Sequence, residues 1–226
     1  MTSNFNIEIE YKHVPRLESG SEESIQYLDE YGYVVIKNAL SSEEAKITID
    51  LLWDYLEELG TGIDRKDPAT WGDDKWPTCA HGGIMPSYGI GHSEAQWYVR
   101  GIPNVKKAFA KIWDTEKLLS SFDGVSLWRP WNINLDWKTE SGQSWFHIDQ
   151  HPISKPGKHC VQGLVNLLPT SEKIGGNVVI PRSHKFFENI PNEYEERLSR
   201  LPLDVDHFRF PNDDPKLTSE KAVMCH

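Results

Sequence analysis

Cysteine is scarce: Cys79, Cys160 and Cys225 are the whole supply in 226 residues, with no Cys-x-x-Cys spacing. That argues against a disulfide framework and against a structural zinc site, and it suits a reducing, cytoplasmic interior. Long apolar runs are missing too, since nothing approaches the roughly 18 to 20 residues of a membrane span. The opening segment MTSNFNIEIEYKHV has no basic stretch followed by an apolar one, as a secretory leader would have. The closing Met224, Cys225 and His226 are not a Ser-Lys-Leu type of address. No five or six like charges stand in a row, and the formal net charge is -10. A nucleic-acid partner or an anionic membrane surface is thereby disfavoured, because phosphates need a basic face. A small anionic substrate remains compatible with a local Arg or Lys pocket. Internal repeats and low-complexity tracts are absent, and the Gly-rich segment HGGIMPSYGIGH, bounded by His81 and His92, lacks phosphate-loop spacing and reads as loop.

What is present is enough for one core. The length predicts a single domain over residues 1–226, with residues 1–20 a flexible N-terminal segment. A short helix is expected over 24–31, with Ile25 and Leu28 at helical spacing, then a break at Gly32 and a strand from Tyr33 to Ile36. The strongest helix follows. Ser41 or Ser42 caps it, Ala45, Ile49, Leu52, Leu56 and Leu59 recur three or four apart, and Gly60 stops it. SEAQWYVR reads as a helical turn, and NVKKAFAKIWDTEKLLSSF as a further helix closing at Asp123 and Gly124. From there GVSLWRP, WNINLDW, SWFHID, CVQGLVNLL and GGNVVIPRS read as short strands separated by turn residues, with a helix inserted over FFENIPNEYEERLSRLP. The pattern predicts an α+β chain with a mainly β core, an antiparallel sheet folded into a sandwich or barrel, and helices gathered at the N-terminal side.

The chemistry concentrates in QSWFHIDQHP. Side chains two apart on a strand leave the same face, so His147 and Asp149 present an imidazole nitrogen and a carboxylate oxygen toward one point. Two such ligands plus one distant His make a facial set with open positions, as in non-haem Fe(II) oxygenases. His151 continues the alternation, but four strand residues span about 13 Å, too far to share an ion with His147. With Pro152 behind it, His151 reads as a residue at the mouth of the site or on the surface. Nine tryptophans are unusually many; Trp71, Trp76, Trp97, Trp128, Trp131, Trp137 and Trp145 gather near loops and the early sheet, where core packing accounts for most of them.

GGNVVIPRSHK supplies a Gly turn, a buried strand from Asn177 to Ile180, and Pro181 as its end. Together with YGYVVIKNALSSEEA and WFHIDQHP, in that order, it resembles the phytanoyl-CoA dioxygenase family over residues 25–190. That resemblance implies a double-stranded β-helix, a jelly-roll barrel of the cupin kind with the metal at its open end. It also implies His147 and Asp149 as iron ligands, with Fe(II), 2-oxoglutarate and O2 as cofactors and a small organic molecule as substrate. His184 is not a ligand in the family pattern and is expected to hydrogen-bond within its loop. Asn132, Asn134 and Trp145 are candidates for lining the 2-oxoglutarate pocket, with alternating exposed positions on a sheet as the equally open reading of the asparagines.

One part of the pattern is missing. The family carries a Gly-Asp turn, a distal His and a carboxylate-binding Arg after a segment similar to KAVMCH, and this sequence stops there. The final barrel strands are therefore expected to be missing, as in a truncated chain. The third ligand is not identified; His207, alternating with aromatics in VDHFRF, is the substitute that spacing offers. The alternative function is an inactive member of the fold that serves as a binding or scaffold protein.

Overall fold

The computed structural model describes residues 9–10, 14–80, 82–138, 146–171, 173–211, 214, 217 and 221–225. In chain order its elements begin with β1 (Ile9–Glu10), β2 (Arg16–Leu17), α1 (Glu22–Tyr31), β3 (Val35–Ile36) and α2 (Ser42–Glu58). Next come β4 (Ile84–Met85), α3 (Glu94–Gly101), α4 (Pro103–Trp113) and β5 (Val125–Ser126). The chain closes with β6 (His147–Asp149), β7 (Asn177–Val179), α5 (Ile190–Glu193), α6 (Glu195–Leu198), β8 (His207–Arg209) and β9 (Ala222–Cys225). The residues fall into two compact units, 1–36 with 141–226, and 37–140.

In the first unit, α1 starts where the Ser21 hydroxyl accepts from the Ser24 N–H, and it ends at Gly32, whose φ of 79° is left-handed. A side chain at position 32 would also collide with the ring of His184. That ring is held in turn by a 3.0 Å hydrogen bond between its Nε2 and the Asp29 carbonyl, so His184 fastens the segment after β7 to the end of α1. Arg182 and Lys185 add ion pairs to Glu30, each 2.9 Å long. The strands make a three-stranded sheet in the order β1-β9-β7, with β9 parallel to β1 and antiparallel to β7. Ala222, Val223 and Met224 of β9 are fully buried in it. Parallel β2 and β3 form one pair, and antiparallel β6 and β8 another.

The β6–β8 pair sits on its own small core. Ile190, Leu198 and Phe208 are buried together, with Ile148, Phe187, Tyr194, Leu201 and Phe210 packed around them. Tyr194, Phe208 and Phe210 meet edge to face, with ring centroids 5.2 to 5.6 Å apart. The helical segment expected over FFENIPNEYEERLSRLP is thus what this ribbon packs on, formed as a 3-10 stretch from Ser183 to Asn189 followed by α5 and α6.

In the second unit, α2 opens with a capping box in which the Ser41 hydroxyl accepts from the Glu44 N–H and the Glu44 carboxylate accepts from the Ser41 N–H. Its face bearing Thr48, Leu52 and Leu56 is buried. Antiparallel β4 and β5 pair, and Gln96 of α3 donates to the Gly124 carbonyl just before β5 at 2.8 Å. Four of the tryptophans, Trp53, Trp71, Trp76 and Trp137, pack ring against ring at 5.1 to 6.5 Å. The Arg129 guanidinium lies over Trp76 and Trp137 and is tied to the Trp71 carbonyl at 2.8 Å.

Three expectations about local structure are corrected. The helix beginning at Pro103 ends at Trp113, not near Phe122, because Asp114 turns to φ 50° and sends its N–H back to the Ala110 carbonyl. WNINLDW is not a strand: residues 131–133 turn, and the Asn134 side chain caps a 3-10 stretch, Leu135–Trp137, by accepting from the Asp136 N–H. CVQGLVNLL holds no strand either; Leu164 and Leu168 are 55% and 68% exposed, so the run lacks the buried face that makes an alternating pattern stay in a sheet. Among the described residues the strands form sheets of three, two, two and two, and no helix is long and apolar enough to cross a membrane.

Candidate metal centre

The register of one strand pair builds the site. In β6 and β8 the directly opposed residues are His147 with Arg209, Ile148 with Phe208, and Asp149 with His207. Opposed residues of an antiparallel pair share a face, and successive ones alternate. Ile148 and Phe208 therefore point into the aromatic core, and His147, Asp149, His207 and Arg209 occupy the other face. The core fixes the ribbon from behind, and the chemistry stands in front.

On that face His147 Nε2 lies 3.3 Å from Asp149 Oδ2, and His207 Nδ1 lies 3.0 Å from Asp149 Oδ1. The two imidazoles face each other at 4.6 Å between centroids. One donor atom from each of His147, Asp149 and His207 lies within 4.8 Å of the others. Adjacent donors on an octahedral ion with bonds of about 2.1 Å are about 3 Å apart, and the two His-to-carboxylate distances, which run to different oxygens of Asp149, are of that size. Two neutral nitrogens and one carboxylate are the donor set of a facial non-haem iron site, which leaves three positions for other ligands. The residues fit a divalent cation of that kind.

The carboxylate is also oriented from behind. Gln162 donates from Nε2 to Asp149 Oδ2 at 2.9 Å. Hydrogen bonding to His147 holds the Asp149 carboxyl well below the usual carboxylate range; burial works against this, and Gln162 and His207 assist it. The same contacts favour the ionised form of Asp149 that a metal would need. The His207 side chain is 52% exposed and those of His147 and Asp149 are 24% and 33% exposed, so the site opens to solvent on the β8 side.

The residues singled out from the sequence thus separate. His147, Asp149 and the substitute His207 come together. His151 does not join them; it is fully buried, not at a mouth or on the surface, because its ring is drawn under the turn that follows β6. His184 does not bond within its own loop as expected; its Nε2 pairs with the Asp29 carbonyl at the end of α1. Asn132 and Asn134 lie in the second unit, and Trp145 falls outside the described residues. Two further residues stand at the site, Gln162 and Arg209. Gln162 carries no sequence signal, because the segment around it is irregular. Arg209 does carry one: in HFR the alternation that turns His207 toward Asp149 turns Arg209 the same way.

Comparison with known proteins finds two relatives. An Aspergillus versicolor protein, "Ava biosynthesis cluster protein O", is 33% identical over 198 residues, which are 84% of this chain and 61% of that protein. A Dictyostelium discoideum protein, "Putative phytanoyl-CoA dioxygenase", is 26% identical over 205 residues, 75% of this chain and 56% of that one. The chain thus spans about three fifths of the length of the curated relatives it matches. No family model matches it, and no solved structure does.

Proposed function

We propose that this chain is part of a non-haem Fe(II)- and 2-oxoglutarate-dependent dioxygenase of the phytanoyl-CoA dioxygenase family that hydroxylates a small organic molecule. The observation that carries the reading is the His147, Asp149, His207 group on one face of β6 and β8. The dioxygenase name of the Dictyostelium relative and the biosynthetic-cluster name of the Aspergillus one are consistent with oxidative chemistry on a small molecule. A jelly-roll barrel is the fold this reading entails, with the β6–β8 ribbon at its open end.

Iron bound there would couple O2 to the conversion of 2-oxoglutarate into succinate and carbon dioxide, with the second oxygen atom entering a C–H bond of the substrate. The protein's own contribution is positional. His147 and His207 would each give a ring nitrogen, and Asp149 one carboxylate oxygen while Gln162 holds the other. Arg209, opposite His147 on the same face, is the residue to which we assign the far carboxylate of the oxo acid, since a guanidinium grips a carboxylate in two parallel hydrogen bonds. An open cleft of about 170 Å³ lies along β8, lined by His207, Phe208, Arg209, Leu201, Arg197 and Arg200.

The test is anaerobic titration with Fe(II) or Mn(II), followed by 2-oxoglutarate-dependent succinate release in air. Micromolar metal binding and succinate release, both abolished in Asp149→Ala and His207→Ala, support the reading. An Asp149→Ala protein that binds the metal as tightly as the original sinks it, and metal binding with no succinate release favours the binding or scaffold role.

A further inference from the structure

His151 has no place in the metal group, yet it is the most completely buried polar residue described, at 0% exposure. Its Nδ1 accepts two backbone hydrogen bonds, from Ile153 N–H at 3.2 Å and Ser154 N–H at 3.1 Å. With both bonds donated to it, Nδ1 carries no proton, and the neutral ring has its proton on Nε2. Nε2 is buried and has no partner among the described residues. A hydrocarbon ring would avoid that unsatisfied nitrogen, so what the imidazole supplies at this position is the Nδ1 acceptor.

The acceptor closes a knot between the two ligand-bearing strands. The ring bends the chain after β6 into a turn, in which Lys155 N–H returns to the His151 carbonyl at 2.9 Å. His151 N–H then donates to Asp206 Oδ1 at 3.2 Å, and Lys155 Nζ to Asp206 Oδ2 at 2.5 Å. From the same turn Ser154 Oγ donates to the Leu203 carbonyl at 2.8 Å, catching the chain just before β8. Asp206 immediately precedes His207, and His151 is two residues beyond Asp149. The knot therefore grips the ribbon directly beside the Asp149–His207 pair, at the end opposite to His147 and Arg209.

We infer that His151 is a positioning residue for the metal centre: by holding the 151–155 turn with Nδ1, it presents its own N–H and Lys155 to Asp206 and so sets His207 against Asp149. The metal part of this inference rests on the function proposed above; the positional part does not. It predicts a specific rescue. Asparagine places a side-chain oxygen where it accepts from N–H groups two and three residues on, as in an Asx turn, whereas leucine fills the space and accepts nothing.

The experiment compares the original chain with His151→Asn and His151→Leu. In the metal-free proteins, the ring-to-ring NMR contact between His147 and His207 and slow exchange of the Ile153 and Ser154 amide protons should persist in the original and in His151→Asn. Both should be lost in His151→Leu while its circular dichroism remains that of a folded chain. Mn(II) affinity should fall by about 10-fold or more in His151→Leu and by less than about 3-fold in His151→Asn, the scale at which groups behind metal ligands act. If His151→Leu retains the ring contact, or if His151→Asn loses it as fully as leucine does, the inference is overturned. If His151→Leu does not fold, the asparagine variant and the amide exchange decide alone. An original chain that binds no Mn(II) overturns the function proposed above, and the apo measurements still decide the role of His151.

Discussion

Arg209 and Cys225 show how much a single side chain's surroundings decide. Arg209 stands across from His147, so Arg209→Leu should raise the KM for 2-oxoglutarate at least about 10-fold while metal affinity stays within about 2-fold. Arg209→Lys should recover only part of the loss, because an ammonium cannot make the paired contact; steady-state succinate assays check both. Cys225, at the end of β9, has its thiol pushed by burial from the ordinary 9.0 up to about 11. The folded chain thus keeps a proton that the unfolded chain loses earlier. The resulting stability is fully present below pH 9.0 and is lost as the pH rises through about 11. Urea midpoints should accordingly fall more between pH 8 and 11 for the original chain than for Cys225→Ala. Iodoacetamide at pH 8 should reach the exposed Cys160 well before Cys225.

At the level of elements, helices were more legible than strands. The cap at Ser41, the periodic Leu52 and Leu56, and the stop before Gly60 are local signals, and they specify α2 almost to the residue. The end of α4 was less visible because Asp114 takes a left-handed turn that its sequence neighbourhood, still rich in helix formers, does not announce. WNINLDW and CVQGLVNLL misled for a related reason: alternation describes a strand only if another strand pairs with it, and pairing is not a local property. The HxD pair was readable because both ligands come from one strand. The approach of His207 was not, since it depends on which strand β6 selects 58 residues away. Phe208 is the β8 residue that faces Ile148 of β6 and anchors the pair on its core. Buried at 4% exposure among Ile190, Leu198 and the neighbouring aromatics, it should cost about 3 to 5 kcal/mol when replaced by Ala. Thermal unfolding would measure this, and the His147–His207 ring contact should weaken with it.

For the whole molecule, charge is the property that sequence alone states completely. Thirty-four acidic residues against 24 basic ones leave -10 with the nine histidines neutral. Protonating all nine brings the formal charge to within one unit of zero, so solubility should pass through a minimum on acidification between about pH 5 and 6. The chain should bind an anion exchanger at pH 7 and pass through heparin. Turbidity and elution profiles test both. The basic side chains are not spread evenly over this acidic background, for Arg197, Arg200 and Arg209 gather along β8 beside His207.

The ribbon of β6 and β8 divides its labour by parity: odd positions carry nitrogen and oxygen outward, and even positions carry Ile148 and Phe208 inward. Such a device has no graded failure. One residue inserted between His147 and Ile148 would send the residues after it to the opposite faces, turning an acid toward oil and an aliphatic chain toward water. Loops that join these strands can lengthen over evolutionary time, yet the count within each three-residue strand cannot change by one.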